Sequence, residues 1–528
     1  MSLDIFLRAP LVLAAGLAIT ALAGCEQMFM DGKAAPAAAP TAMAMVATPA
    51  APAGGKLTPA KMVQLIAHTD EAVLAQALEA DIARQGVVSA DGAFEPEFYA
   101  EANRSWERRE TTALQMSSAV GGPDPFWSLS QDGRLGVKMK TRTGVNVDLY
   151  YDMQRVSNSL QASAALPLVE NTSKTGISLK VPLLRGAGQA VNTSGIKIAQ
   201  IDEAIAAETS TLVKTKRAYE GLRTYVAYQR AEARVSTRRD LLALSQRLVT
   251  EMRGQYGSGM TDPRDFVEAQ GNVNEARAAL LQAQAELAEQ RDALQIYFVG
   301  LPSKSPSDMW LPAGGLSVID GRKLGALSGL DAVYARRPEI RIQGLQIERR
   351  EIETLVAENA AKSELNLNLD FAKTKVSGDY MPFRELFSNA NPNQTWRVGF
   401  EYRRGLGGNR SAQADLKAAQ LREEQAELTM NAFRQRLAGE INAIDGILTR
   451  ARLAVSENEK FLAAQSRLVR DERDRVGSGL STQVYVVERQ IDEVLTREAR
   501  NDAIAQLNQA YYLAAYANGT LLDVFGVQ

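Results

Sequence analysis

Hydrophobic positions along this chain follow two different periods. In several short segments they fall at every second residue. Leu365, Leu367, Leu369 and Phe371 alternate with Asn366, Asn368 and Asp370; Trp396, Val398, Phe400 and Tyr402 alternate with Arg397, Gly399, Glu401 and Arg403. Leu135, Val137 and Met139 alternate with Lys138 and Lys140, and a turn follows at Thr143 and Gly144. Val145, Val147, Leu149 and Tyr151 then alternate with Asn146, Asp148 and Asp152. Ile177, Leu179 and Val181 form a further set with Ser178 and Lys180, and residues 98–104 add another. Period two puts one chemistry on each face of a strand, and segments of about ten residues suit a barrel with lipid outside and water inside. A soluble sheet alternates in the same way.

Between these segments the period lengthens. Residues 189–256 and 409–476 contain no proline, and as helices each spans roughly 100 Å at about 1.5 Å per residue. Each run reaches a Gly-Ser-Gly and returns, through residues 263–299 and 483–521. Asp262 and Pro263 form a cap and first-turn pair for the first return, and Ser481 or Thr482 stands ready to cap the second. Phe266, Val273, Leu280, Leu287 and Leu294 repeat every seven residues beside Ala269, Ala276 and Ala283, which is a coiled-coil seam. Leu212, Tyr219, Val226 and Ala233 keep a looser version on the outgoing run. Most other helical positions are charged or Ala, so these helices are wet over much of their surface. A ring of helices around water satisfies that pattern, and so does an isolated antiparallel coiled coil. Strands running straight into helices too long for a globular partner favour the ring. The intervening polar stretches 156–174 and 376–395 are expected as outer loops.

The two reversals match in register. Residues 253–270 and 473–490 share seven identities, among them Gly257/Gly477, Ser258/Ser478, Gly259/Gly479, Glu268/Glu488 and Gln270/Gln490. The chain therefore reads as an internal duplication, with repeats over 59–330 and 331–528.

The amino terminus sets the compartment. Arg8 precedes an apolar run, residues 9–23, too short to span a bilayer, so it is read as a signal peptide over 1–24. Leu22-Ala23-Gly24-Cys25 resembles the cleavage box of bacterial lipoproteins, and Glu26 resembles those sent to the outer membrane. Cys25 is the single cysteine, so no intrachain disulfide forms, and its place marks it as the lipid acceptor. Residues 25–58 follow as a lipid-anchored linker, almost only Ala and Pro from about 33 to 56. Lys and Arg (60) nearly balance Asp and Glu (62), which argues against a nucleic-acid partner. His68 is the one histidine. No Ser-His-acid set or metal-ligand cluster can be assembled, so no enzyme, cofactor or metal is expected.

Val181-Pro182-Leu183-Leu184-Arg185-Gly186-Ala187-Gly188, where strand meets helix, resembles the same junction in outer membrane efflux proteins of the TolC type. Arg337-Pro338-Glu339-Ile340 with Ile347-Glu348, and Gly92-Ala93-Phe94-Glu95-Pro96, are similar to the entries of the family's two halves. The family's tip pattern is fitted by Gly259, Asp265, Glu268 and Gln270; in the second tip Gly479, Glu488 and Gln490 fit, and Tyr485 replaces an Asp. Arg403-Arg404-Gly405 stands where the family usually has Pro-Leu. The alternating pair over 133–155 either lengthens or adds to the usual two strands per half.

The resulting expectation is an α+β chain, an outer-membrane β-barrel continued by a long periplasmic α-helical barrel of coiled-coil hairpins. The resemblance implies a homotrimer that serves as exit duct of a tripartite efflux or secretion system. Its partners are outer membrane lipid, a periplasmic adaptor and an inner-membrane pump. It also implies that the tips Gly257, Ser258, Gly259, Gly477, Ser478 and Gly479 meet the adaptor. Asp265, Glu268, Tyr485 and Glu488 then line a periplasmic constriction, where ringed carboxylates repel unless paired. The alternative is a lipid-anchored periplasmic scaffold or adaptor with soluble strands.

Overall fold

The computed structural model of this chain describes residues 56–113, 125–159, 169–257, 262–298, 310–322, 324, 327–378 and 393–527. Cys25, Ser258 and Gly259, with the signal segment and nearly all of the linker, lie outside these residues.

Among the described residues, six strands form one antiparallel sheet: β2 (Glu97–Arg109), β3 (Phe126–Lys140), β4 (Asn146–Asn158), β5 (Glu170–Pro182), β7 (Glu364–Ser377) and β8 (Gln394–Arg403), in that order. Two further strands, β1 (Lys56–Leu57) and β6 (Leu311–Pro312), pair in parallel elsewhere. Straight across the large sheet run Phe98, Val137, Leu149, Ile177, Phe371 and Trp396, all on one face. The residues over 133–155 form separate strands, so they add a pair instead of lengthening one. The stretches read as loops are shorter than their polarity suggests: residues 156–158, 170–174, 376–377 and 394–395 are in strands. Backbone pairing there overrides side-chain polarity, because a strand can carry polar residues on both faces once it clears the apolar layer.

The helices are α1 (Pro59–Thr69), α2 (Glu71–Asp91), the short α3 (Gln189–Asn192), α4 (Ser194–Gly257), α5 (Pro263–Gln295), α6 (Leu330–Arg336), α7 (Pro338–Ala361), α8 (Arg410–Gly477), α9 (Gln483–Ala517) and α10 (Leu521–Val524). Helix α4 has 64 residues and α8 has 68, so at about 1.5 Å per residue they extend roughly 95 and 100 Å. The first long run is not continuous from 189, since Thr193 interrupts it. Asp262 caps α5 as expected, accepting the Arg264 amide at 2.8 Å. Thr482 takes the cap position of α9 without a side-chain bond, and Ser481 bonds Glu472 instead.

The core lies in the middle of the helical region. The last third of α9 is apolar nearly all round and buried: Ile504, Leu507, Tyr511, Tyr512 and Ala515 are each under one-tenth exposed. A helix without a polar face must be surrounded. Val333, Ile340, Leu437, Ile441, Ile444 and Ala514 join α6, α7, α8 and α9 in one cluster. Nearer the tips Leu248 of α4 packs with Val484 and Val487 of α9, joining the two hairpins.

The amino-terminal helices dock on α4. A Cβ on Gly221 would collide with Ile66 and Met62, so glycine there admits α1. Leu57 is fully buried and its carbonyl accepts the Tyr225 hydroxyl at 3.1 Å. Residues 56–57, within the expected linker, therefore belong to the folded body.

Candidate functional site

The sheet separates two chemistries by face. On one, Trp396, Val398, Phe400 and Tyr402 are between 60% and 73% exposed, and Val137, Leu149 and Ile177 are also open. Exposed aromatics and branched aliphatics over neighbouring strands form a patch too continuous for a water-facing surface. The opposite face is ionic. Arg134 reaches Asp148 at 3.0 Å and Asp152 at 3.5 Å, Tyr99 donates to Asp148 at 2.8 Å, and Lys180 lies 3.4 Å from Glu401. One face therefore suits lipid and the other water.

Two junctions turn strand into helix. After β5, the Gly186 amide donates to Asn359 at 2.7 Å, and Asn192 donates to the Gly186 and Gly188 carbonyls, each at 2.8 Å. After β8, Asn409 sits in the left-handed region at φ 53° and begins α8. Asparagine tolerates that conformation better than other side chains do. The second junction thus turns without the Pro-Leu pair of the first.

The tips differ in construction. In the second, Gly477 ends α8, Ser478 bonds back to Asp474, and Gly479 takes φ 73°. The Gly479 amide reaches Val476 at 3.0 Å and the Leu480 amide reaches Arg475 at 2.9 Å, a Schellman closure. Of the described tip glycines, Gly257 and Gly477 are helical, and Gly479 alone adopts a positive φ. Leu480 is 72% exposed beyond it. The first tip is braced by Tyr256 stacked on Phe266, centroids 5.5 Å apart.

Asp265 and Glu268 are exposed one turn apart on α5, and Tyr485 and Glu488 occupy the corresponding turn of α9. Partial enclosure by its surroundings pushes the Glu488 carboxyl up from the ordinary range; Arg489 opposes this and Asp492 adds to it.

Residues that sequence reasoning missed bind the hairpins together. Arg234 of α4 lies 2.8 Å from Glu286, 3.2 Å from Glu498 and 3.3 Å from Asp502; Arg230 meets Asp502 at 2.6 Å and Arg238 meets Glu498 at 2.9 Å. Arg230, Arg234 and Arg238 repeat every fourth residue, as do Glu498 and Asp502, a spacing visible in the sequence without its partner. Asn508, nearly fully buried, holds the 310–322 segment by the Ile319 amide (3.1 Å) and the Ser317 carbonyl (2.8 Å). No group of acids, histidines and cysteines able to hold a metal occurs among the described residues.

No protein-family model matches the chain, and no curated protein matches it. Solved structures do. The chain is similar to CusC, studied for conformational changes accompanying folding and transmembrane channel formation, at 15% identity over 90% of this chain and 95% of that one, with a TM-score of 0.58. A membrane protein from Pseudomonas aeruginosa matches at 14% identity, 90% and 92% coverage and a TM-score of 0.60. The outer-membrane channel OprN matches at 13% identity, 88% and 90% coverage and a TM-score of 0.59. At such identities the likeness is one of backbone architecture, and by that architecture the chain has the fold of the TolC-like outer membrane efflux channels.

Proposed function

We propose that this chain is the outer membrane exit duct of a tripartite efflux or secretion system, a trimer that passively conducts what an inner-membrane pump and periplasmic adaptor deliver. One observation carries the reading: a six-stranded sheet with an exposed apolar face and an ionic opposite face leads directly into helices of 64 and 68 residues. A lipid-anchored scaffold with a soluble sheet has no use for Trp396, Phe400 and Tyr402 facing outward, each at least 60% exposed.

The finer assignments follow from this reading. Residues 1–24 are a signal peptide removed at Cys25, which is acylated, and the following linker leads into two repeats, 59–330 and 331–528. Gly257, Ser258, Gly259, Gly477, Ser478 and Gly479 dock on the adaptor. Asp265, Glu268, Tyr485 and Glu488 line the periplasmic constriction. The duct does no chemistry and selects little, because a wide polar tunnel makes few specific contacts.

Purified from outer membranes in detergent, the protein should have three times the chain mass, migrate differently when unheated, and form ion-conducting pores in planar bilayers. A monomer released from membranes by salt, with no conductance, refutes the duct.

A further inference from the structure

Among the described residues the sheet ends in two edges without a partner strand, β2 and β8, and unpaired edges are templates for another chain. Six strands, all antiparallel, leave β2 and β8 running in opposite directions, so β8 of one copy meets β2 of the next in antiparallel sense. We propose that protomers join by pairing β8 with the neighbour's β2 in one register, Trp396 opposite Arg104, closing an eighteen-stranded barrel from three copies. The proposal rests on the trimeric duct above and adds the contact surface, the strand count and the bore.

Face and geometry restrict the register. The outer face carries even-numbered residues on both strands, Phe98 on β2 and Trp396 on β8, so only even pairings keep apolar side chains together. The perpendicular line from Phe98 ends at Trp396, and the residue it meets on the next β2 sets the stagger. Meeting Arg104 advances it six residues per protomer (104 minus 98), or eighteen over eighteen strands. With about 3.3 Å per residue and 4.8 Å between strands, the tilt is about 35°, in the usual range of about 35–45°. The backbone diameter is then about 34 Å, against about 23 Å for twelve strands at the same tilt.

Neighbouring registers are worse. An advance of four gives a tilt of about 25° and carries Tyr402 and Arg403 past the start of β2. An advance of eight gives an acceptable tilt of about 43°, but sets Glu401 opposite Glu101 on the ionic face, and directly opposed like charges destabilise a sheet. An advance of six sets Arg403 opposite Glu97, pairs Tyr402 with Phe98, and lays Arg104 beside Trp396. All ten residues of β8 then lie against residues 97–106.

The test places thiols across the joint in the full chain. In the proposed register Glu101 faces Gly399; in the advance-of-eight register Asn103 does. With a thiol crosslinker spanning about 5 Å, the cross-strand distance, E101C/G399C should give at least tenfold more covalent dimer and trimer than N103C/G399C. The E101C, N103C and G399C single variants report background linkage. Preference for the 103–399 pair, equal yields, or no linkage in a conducting trimer overturns the joint while leaving the duct intact. A non-conducting monomer refutes the duct reading itself.

Discussion

Asp70 carries the attachment of the amino-terminal helices, and replacing it tests how that attachment works. Its side chain is 3% exposed and does two things. It caps α2, accepting the Ala72 and Val73 amides at 3.0 and 3.2 Å, and it accepts Arg217 of α4 at 2.7 Å. Losing a cap costs about 1 kcal/mol. The ion pair lies between exposed pairs, worth about 0.2–1 kcal/mol, and buried ones, whose disruption costs about 3–5 kcal/mol. Arg217 is 29% exposed and keeps Glu220 at 3.4 Å, which places the pair at about 2 kcal/mol. Asp70→Ala loses both contributions, about 3 kcal/mol, whereas Asp70→Asn keeps the cap and a neutral bond and loses about 1.5 kcal/mol. Because the damage is local, the assay is native-state amide exchange over residues 59–91. Exchange there should quicken about 100-fold in Asp70→Ala and about 10-fold in Asp70→Asn, at about 1.4 kcal/mol per decade. Protection within threefold of the parent in both variants would show that apolar packing of Met62 and Ile66 at Gly221 suffices, and the electrostatic reasoning would fail.

Leu437 is 1% exposed where α6 to α9 meet, so Leu437→Ala should cost about 2–5 kcal/mol, read as a lower thermal midpoint with unchanged helix content. At the tips, Asp265→Lys should shift conductance and cation preference in planar bilayers more than Tyr485→Phe, since only the first removes a charge; equal effects refute the asymmetry. The raised Glu488 pKa means that the folded chain holds this proton more tightly than the unfolded one. Its contribution to stability is full below the ordinary value of 4.5 and is lost as pH rises through the folded value. Glu488→Gln should therefore raise the thermal midpoint at pH 8 and leave it unchanged at pH 4. Replacing Arg234 with Met should loosen the α4–α9 contact and speed proteolysis between the hairpins, because it takes one cation from three acidic partners at once.

Much of this molecule was legible in one dimension because its signals are local. Period two marks strands and a proline-free run marks a helix, and both depend only on neighbouring residues. That is why β7, β8, α8 and the Asp262 cap fall where the sequence puts them, why the first long run differs only by its break at Thr193, and why Gly-Ser-Gly marks the second reversal. Polar strand ends at 156–158 and 170–174 look like loops by composition, since ladder hydrogen bonds come from a partner strand that composition cannot reveal. Likewise Asp70 and Arg217 are 147 residues apart and Arg238 and Glu498 are 260 apart; each is an unremarkable surface charge until folding excludes water around it. The sequence by itself thus determined the elements, their lengths and which strand face is apolar. Only the tertiary structure decided that the six described strands share one sheet, and in which order, because strand order and register are set by pairing across the fold and not by any property of a strand alone.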